Sequence, residues 1–407
     1  MSKPKDTILL NDCISSDAPI CYGILKPGPE VSGGVPVVKV KNFSNGSIDA
    51  SAVIHTSNEI DEQYKRSRLR AGDIILGIRG STGNVAIVPP ELEGANITQD
   101  SARIRIAGEE DRDYIYYVLK SPSSQKYIRY HTIGQAVKGI NIADVRKLPV
   151  YWPPNKKRTW IVNHLAYWTN AVALAELLIA AKQEQRKGIM QQLLSGKRRF
   201  PGFTKPWQEV RLSEVLRPRK EKAVPSEEMP LYSLTIESGV TAKTDRYNRE
   251  FLVKDKGNKK YKIVHPEDIV FNPANLRWGA IARSKVHHKV VVSPIYEVLE
   301  ILVDRVDPDF VSHVLTSSRQ VSIYATKTEG TLVERMAVKL DAFLLLKLLM
   351  PQDIEEQKRI AQVFNLLDKE ISLLQQQLDA FKEQKKGLMQ QLLTGKVQVK
   401  PAKEAVA

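Results

Sequence analysis

Only two cysteines, Cys13 and Cys21, occur in 407 residues. Two thiols cannot staple a scaffold, so a disulfide-built secreted fold is excluded and a reducing, cytoplasmic setting is expected. No run of 18 or more consecutive apolar residues is present, so no membrane span is expected. The opening MSKPKDTILLND lacks the apolar stretch of a signal peptide. Seven histidines offer no metal-ligand spacing. His287 and His288 are adjacent and point apart, unlike the i, i+4 pair of a chelating helix. No G-x-G-x-x-G follows a strand, so no cofactor-binding glycine loop is expected.

Other patterns approach catalytic motifs and miss. Gly188 and Gly387 precede Gly196-Lys197 and Gly395-Lys396, but seven residues intervene where a phosphate loop has four. Arg198 and Val397 then stand where that loop needs Ser or Thr. Glu356-Gln357-Lys358 opens a helix without an upstream acidic partner, so it reads as a helix start rather than nuclease chemistry. Asn272-Pro273-Ala274-Asn275 lacks the second proline and the aromatic with which amino-methyltransferases hold a target amine, and reads as a turn. The expectation is a chain with no catalytic residue and no metal site.

Positive charge is in excess. Lys plus Arg number 61 against 46 Asp plus Glu, a formal charge of +15, which favours a polyanion such as nucleic acid.

The chain also repeats itself. EQRKGIMQQLLSGK (Glu184 to Lys197) returns as EQKKGLMQQLLTGK (Glu383 to Lys396), with Gly188 and Gly387 lying 199 residues apart. Three positions differ, each by a conservative exchange, so the chain reads as two similar halves. In the second copy Ile360, Phe364, Leu367, Ile371, Leu374, Leu378, Phe381, Lys385, Leu388 and Leu392 follow the 4,3 spacing of a coiled-coil seam. The same register falls on Ile161, Leu165, Trp168, Val172, Ala175, Ile179, Lys182, Arg186, Ile189 and Leu193. Pro153 and Pro154 suit the start of the first helix, and Gly196 and Gly395 suit C-terminal caps. A narrow seam needs a partner, and the other copy is the nearest one. Two helices of roughly 60 Å, paired antiparallel as a rod, are expected. Helical-hairpin packing or pairing between chains is the competing arrangement.

Around the helices the pattern is mixed α/β. VPVVKV (Val35 to Val40), DIILGI (Asp73 to Ile78) and ARIRI (Ala102 to Ile106) read as strands, and DRDYIYYVLKS (Asp111 to Ser121) as a helix. EDIVF (Glu267 to Phe271) and DPDFVSHVLTS (Asp307 to Ser317) answer them in the second half. The expected organisation is an α/β domain over 1–152, a helix over 153–200, a second α/β domain over 201–350, a helix over 351–396 and a flexible tail over 397–407.

Loops after the buried strands carry the candidate binding chemistry. Arg79, Ser81, Thr82 and Asn84 flank Gly80 and Gly83, and Gln135 and Lys138 sit in IGQAVKGIN. The second half offers Asn275, Arg277 and Trp278 before Gly279, and Arg335 in TEGTLVERM. Arg and Asn suit bidentate contacts to base edges. Lys126, Arg129, Lys259, Lys260, Lys285 and Lys289 suit phosphates.

The twin GIMQQLLSGK and GLMQQLLTGK endings resemble those of specificity subunits of type I restriction–modification systems. PGFTKPWQEVRLSEVL (Pro201 to Leu216), IEEQKRIAQVFNLLD (Ile354 to Asp368) and YGILKPGPEVSGGVPVVKVKNFSNGSID (Tyr22 to Asp49) are similar to segments of that family. The resemblance spans nearly the whole chain. It implies two α/β target-recognition domains, each reading one half of a split, asymmetric site in double-stranded DNA. It implies paired helices that set the unread interval between the half-sites.

It further implies two modification subunits docked at Met190, Gln191, Gln192, Met389, Gln390, Gln391, Glu356 and Gln357, with restriction subunits joining them. S-adenosylmethionine, ATP and Mg2+ would belong to those partners, and this chain would hold no cofactor. One departure stands out. The family's Glu-Gln at the helix opening is kept at Glu356-Gln357 but replaced by Lys157-Arg158 in the first helix. Lys156, Lys157 and Arg158 then either alter a docking site or touch phosphates of the spacer. A stand-alone DNA-binding regulator, a self-contained methyltransferase and a coiled-coil scaffold are the alternative classes.

Overall fold

The computed structural model describes residues 6–44, 46–134, 138–242, 259–329 and 336–397. The expected tail beyond 397 lies outside them. The chain divides into two compact units, one of Met1–Leu177 with Gln376–Ala407, the other of Leu178–Gln375.

In the first unit β1 (Thr7–Leu9) pairs antiparallel with β6 (Pro149–Tyr151), so the start and end of the α/β part are tied together. Between them β2 (Cys21–Tyr22), β3 (Ile74–Gly77), β4 (Val85–Ile87) and β5 (Ser101–Ile104) form an antiparallel sheet of order β2-β5-β3-β4. All four residues of β3 are buried. Ile74 and Leu76 face a core shared with α1 (Glu109–Lys120) and α2 (Pro122–Tyr130), whereas Ile75 faces a second core with Val38 and Phe43. A strand covered on both faces must read as a continuous apolar run, which is why DIILGI shows no alternation. Three acids in the first turn of α1 complement its dipole. The Ser121 side chain caps α2 by accepting from the Ser124 backbone N–H.

The second unit repeats this plan. β7 (Gln208–Arg211) pairs with β12 (Lys347–Met350). Strands β8 (Leu216–Pro218), β9 (Ile269–Phe271), β10 (Ile281–Arg283) and β11 (Glu297–Ile301) take the order β8-β11-β9-β10, the same as in the first unit. Ile269 and Phe271 face the core with α4 (Pro308–Leu315) and α5 (Ser318–Thr326), and Val270 faces Val264, Val290 and Val292. The internal repeat is therefore one of topology, extending through the diverged globular parts.

The long helices are α3 (Asn155–Leu193) and α6 (Ile354–Leu392), 39 residues each, or about 58 Å at 1.5 Å per residue. Every expected seam position is buried or half-buried. In the first unit Trp168 meets Phe381 edge-on at 5.7 Å, Lys382 Nζ lies 2.7 Å from Glu176, and Ile161 and Leu165 share a core with Leu392. In the second, Lys182 pairs with Glu370 at 2.7 Å, Arg186 pairs with Asp368, and Leu193 joins Ile360 and Phe364. Low numbers on one helix face high numbers on the other, so within each unit the segments run antiparallel. By length and mean hydropathy alone, α3 meets the measure of a membrane-crossing helix. Its apolar seam is instead covered by α6 in both units.

The polar seam positions differ. Arg186 has its carboxylate. Lys385, the equivalent position in α6, has no ion-pair partner among the described residues. Burial, and then the nearby Lys120, pull its pKa down to about 8.

Each helix exit needs a glycine. Gly196 and Gly395 adopt φ of +70° and +68°, a region that costs other residues about 1–2 kcal/mol. Each also lies under an aromatic ring. A Cβ at 196 would sit 3.3 Å from Trp207, and one at 395 only 2.8 Å from Tyr151. Gly196→Ala is therefore expected to lose about 1–2 kcal/mol, and Gly395→Ala more, because Tyr151 must also shift. Thermal unfolding of the two variants checks the order; a milder effect at 395 would contradict the packing account.

Candidate nucleic-acid interface

The first loop runs from β3 to β4 over 78–84. The backbone N–H groups of Ile78 and Arg79 both donate to the Asp100 carbonyl, at 2.8 and 3.1 Å. A returning segment after α2 closes on it. Ile140 N–H donates to the Ile78 carbonyl at 2.9 Å, and Gly80 N–H and the Thr82 hydroxyl both donate to the Lys138 carbonyl, at 3.3 and 3.2 Å. Gly80 and Gly83 take φ of +70° and +95°, which permits this doubling back. Arg79, Ser81, Thr82, Asn84 and Lys138 are thus brought to one place, and all but half-buried Thr82 are exposed. Gln135 lies outside the described residues. A hollow of about 250 Å³ opens beside Asn84, between Phe43, Lys120 and Gln125.

Sequence reasoning missed two contributors. Gln99 accepts from Arg79 Nη1 at 3.3 Å and helps set the guanidinium direction. Gln125 donates to the Gly83 carbonyl at 2.8 Å from below the loop. Neither lies in a glycine-rich stretch, and only the sheet order brings them there.

The second loop has the same construction between β9 and β10. Val338 N–H donates to the Pro273 carbonyl at 3.0 Å, as Ile140 does to Ile78. The Asn272 side chain accepts from Ala274 N–H at 3.1 Å, so Asn272-Pro273-Ala274-Asn275 is the expected turn. Asn275 is exposed, and Trp278 is 64 % exposed, unusual for an indole. Arg277 is half-buried, its guanidinium 5.1 Å from the Trp278 ring and its Nη1 3.3 Å from Met336 Sδ. Arg335 lies outside the described residues. Lys126, Arg129, Lys259, Lys260, Lys285 and Lys289 are all exposed.

The expected docking residues divide. Gln191, Gln192, Gln390 and Gln391 are exposed, and Met190 is half-buried. Three are corrected by their burial. Met389 is 6 % exposed within the first unit's core. Glu356 is 1 % exposed, taking both Arg199 Nε and Nη2 at 2.8 Å and the Trp207 indole N–H at 3.4 Å. Gln357, also 1 % exposed, accepts from Asp307 N–H at 2.9 Å and donates to the Pro351 carbonyl at 2.9 Å. These side chains face inward, so none is available to a partner's surface.

The basic opening of α3 is corrected too. Arg158 is buried, donates to Asp111 at 2.8 Å and to the Pro153 carbonyl at 2.7 Å, and lies 4.0 Å from the Trp152 ring. It does in the first unit what Gln357 does in the second, joining the helix opening to the start of the sheet-covering helix. Its charge is answered inside the fold, so it does not reach a phosphate; Lys156 remains exposed and Lys157 half-buried.

Among the described residues no three His, Cys, Asp or Glu side chains are grouped to hold a metal. The loops can offer hydrogen bonds, positive charge and one aromatic face. Such a set is suited to reading and holding a nucleic acid.

Comparison with known proteins agrees with this geometry. The family model of the type I restriction modification DNA specificity domain matches residues 26–181. The chain is 29 % identical over 160 residues to the EcoBI specificity subunit of Escherichia coli, a match covering 39 % of this chain and 33 % of that protein. It is 24 % identical over 396 residues to the putative MjaX specificity subunit of Methanocaldococcus jannaschii, covering 90 % and 88 %. Among solved structures, the S subunit from M. genitalium matches at TM-score 0.54 with 15 % identity, covering 95 % of each chain. A chain of a type I R-M system, from work on its complex assembly and conformational transition, matches at TM-score 0.61 with 16 % identity, covering 98 % of this chain and all of that one. Alongside the repeated α/β plan and the two long helices, these likenesses all run to specificity subunits of type I restriction–modification systems, whose specificity-domain model matches the first part of this chain.

Proposed function

We propose that this chain reads a bipartite, asymmetric site in double-stranded DNA and directs partner subunits to it. The Arg79–Asn84 loop with Lys138 reads one half-site, and the Asn275–Trp278 loop reads the other. Two modification subunits, using S-adenosylmethionine, methylate adenine. Restriction subunits using ATP and Mg2+ join them, and the chain itself is a non-catalytic recognition subunit working in the cytoplasm. The observation that carries this reading is the pair of loops built alike but furnished differently. One presents an exposed guanidinium and amide, the other an exposed indole and amide. Like scaffolds with unlike side chains predict unlike half-sites, because base edges are distinguished by donor and acceptor pattern.

Methylation mapping of DNA from cells carrying this chain with its modification subunit tests the proposal. The expected result is methylated adenine in one split, non-palindromic sequence. A continuous palindrome, or no new methylation, would overturn it.

A further inference from the structure

Arg68, Arg105, Arg112 and Arg158 of the first unit each meet a carboxylate, so their charge is answered within the fold. Arg79 does not. Among the described residues its guanidinium has one polar partner, the neutral amide of Gln99, which accepts from Nη1 at 3.3 Å. Gln99 is itself tied down, its backbone N–H donating to the Ile24 carbonyl at 2.9 Å. The Arg79 N–H donates to the carbonyl of the next residue, Asp100, at 3.1 Å. The stem of Arg79 crosses Gly139 on the returning segment. A Cβ at Gly139 would lie 3.0 Å from Arg79 Cγ and 2.9 Å from the Ile78 carbonyl oxygen, so the stem can lie this close only over a bare backbone. The result is an exposed guanidinium held at its backbone, its stem and one nitrogen, with Nε and Nη2 left to donate.

Such a fork selects its partner. A guanidinium only donates, so it needs two acceptors side by side. In the major groove guanine alone presents that pair, O6 and N7, whereas adenine sets N7 beside an N–H donor. A phosphate would accept from an arginine in any of several directions and has no need of one aimed by a neighbour. The neutral anchor matters as well. It steers the guanidinium without answering its charge, which a carboxylate would have done.

We infer that Arg79 reads a guanine through its O6 and N7 in the major groove, and that Gln99 and Gly139 are the positioning residues for that contact. The inference rests on the proposed reading of the chain as a DNA-recognition subunit. It deepens that reading by naming one base of the half-site read by the first unit, and two residues that act on it only through Arg79.

The test is binding of the full chain, assembled with its modification subunit, to duplex libraries with one half-site randomised at a time. Arg79→Ala should lower the preference for one guanine about 5- to 150-fold and leave the other half-site unchanged. Replacing that guanine by 7-deazaguanine, which lacks N7, should cost the wild-type complex a similar factor and the Arg79→Ala complex little. Inosine, which lacks only the minor-groove amino group, should be tolerated. Gln99→Glu should reduce the guanine preference more than Gln99→Ala, because a carboxylate takes two donors of the fork and its charge. If Gln99 only fills space, the isosteric Glu is the milder change, and that result overturns its positioning role. A half-site without a G·C pair, an equal loss at every base after Arg79→Ala, or sensitivity to inosine rather than 7-deazaguanine overturns the guanine assignment and leaves the functional reading standing. Absence of any sequence preference in the wild-type complex would instead overturn the functional reading, and the guanine assignment with it.

Discussion

Glu356→Ala is expected to destabilise the second unit by about 3 kcal/mol, enough to lower its unfolding temperature by several degrees. The carboxylate is 1 % exposed and holds both Arg199 nitrogens and the Trp207 indole. Removing one member of a buried ion pair typically costs about 3–5 kcal/mol, because the other charge is left without compensation. The lower end applies here, since the Arg199 side chain is 24 % exposed and can recover some hydration. Trp207 would lose its acceptor and, resting on Gly196, would loosen the exit of α3 as well. Lys157→Ala, at the equivalent place in α3, should change stability by less than about 0.5 kcal/mol, as for a surface site without a network. Denaturant unfolding of the two variants makes the comparison. An equal, small effect for both would show that Glu356 is not a structural keystone.

That contrast also shows what could be read in the sequence. The seam was legible because a 3.5-residue period survives any change of partner, and because each seam position must be covered. The two exposed loops were legible as clusters, since glycines beside Arg, Ser, Thr and Asn mark a backbone that turns and presents side chains. The buried polar pair at the start of α6 was not. Glu and Gln in a first turn ordinarily face water and complement the helix dipole. Their partners, Arg199, Trp207 and Asp307, lie 50 to 157 residues away. Arg158 was misread for the same reason, because its neighbours Lys156 and Lys157 suggested a solvated basic face. Its partner Asp111 lies 47 residues earlier, in the first turn of α1. Met190 and Met389 share a repeated motif, yet only the packing around them makes one half-buried and the other core.

The remaining expectation concerns the loops themselves. Arg79→Ala in the assembled complex should relax base discrimination in one half-site, costing about 1–3 kcal/mol against the preferred sequence. Arg79 is exposed and aimed by Gln99, so its loss removes a directed donor pair without exposing core. Lys138→Ala, next to it, should weaken binding to every sequence alike and reduce the salt slope by about 1, as a phosphate contact does. Trp278→Ala should act on the other half-site alone, by about 1–3 kcal/mol if the indole meets a base face, and should free Arg277 from its cation–π contact. Binding to DNA libraries with one half-site randomised at a time separates the three effects. The two loops stand in separate compact units with separate cores, so coupling between their substitutions should be small. A single-loop variant that relaxes both half-sites equally would show that the loops do not read independently.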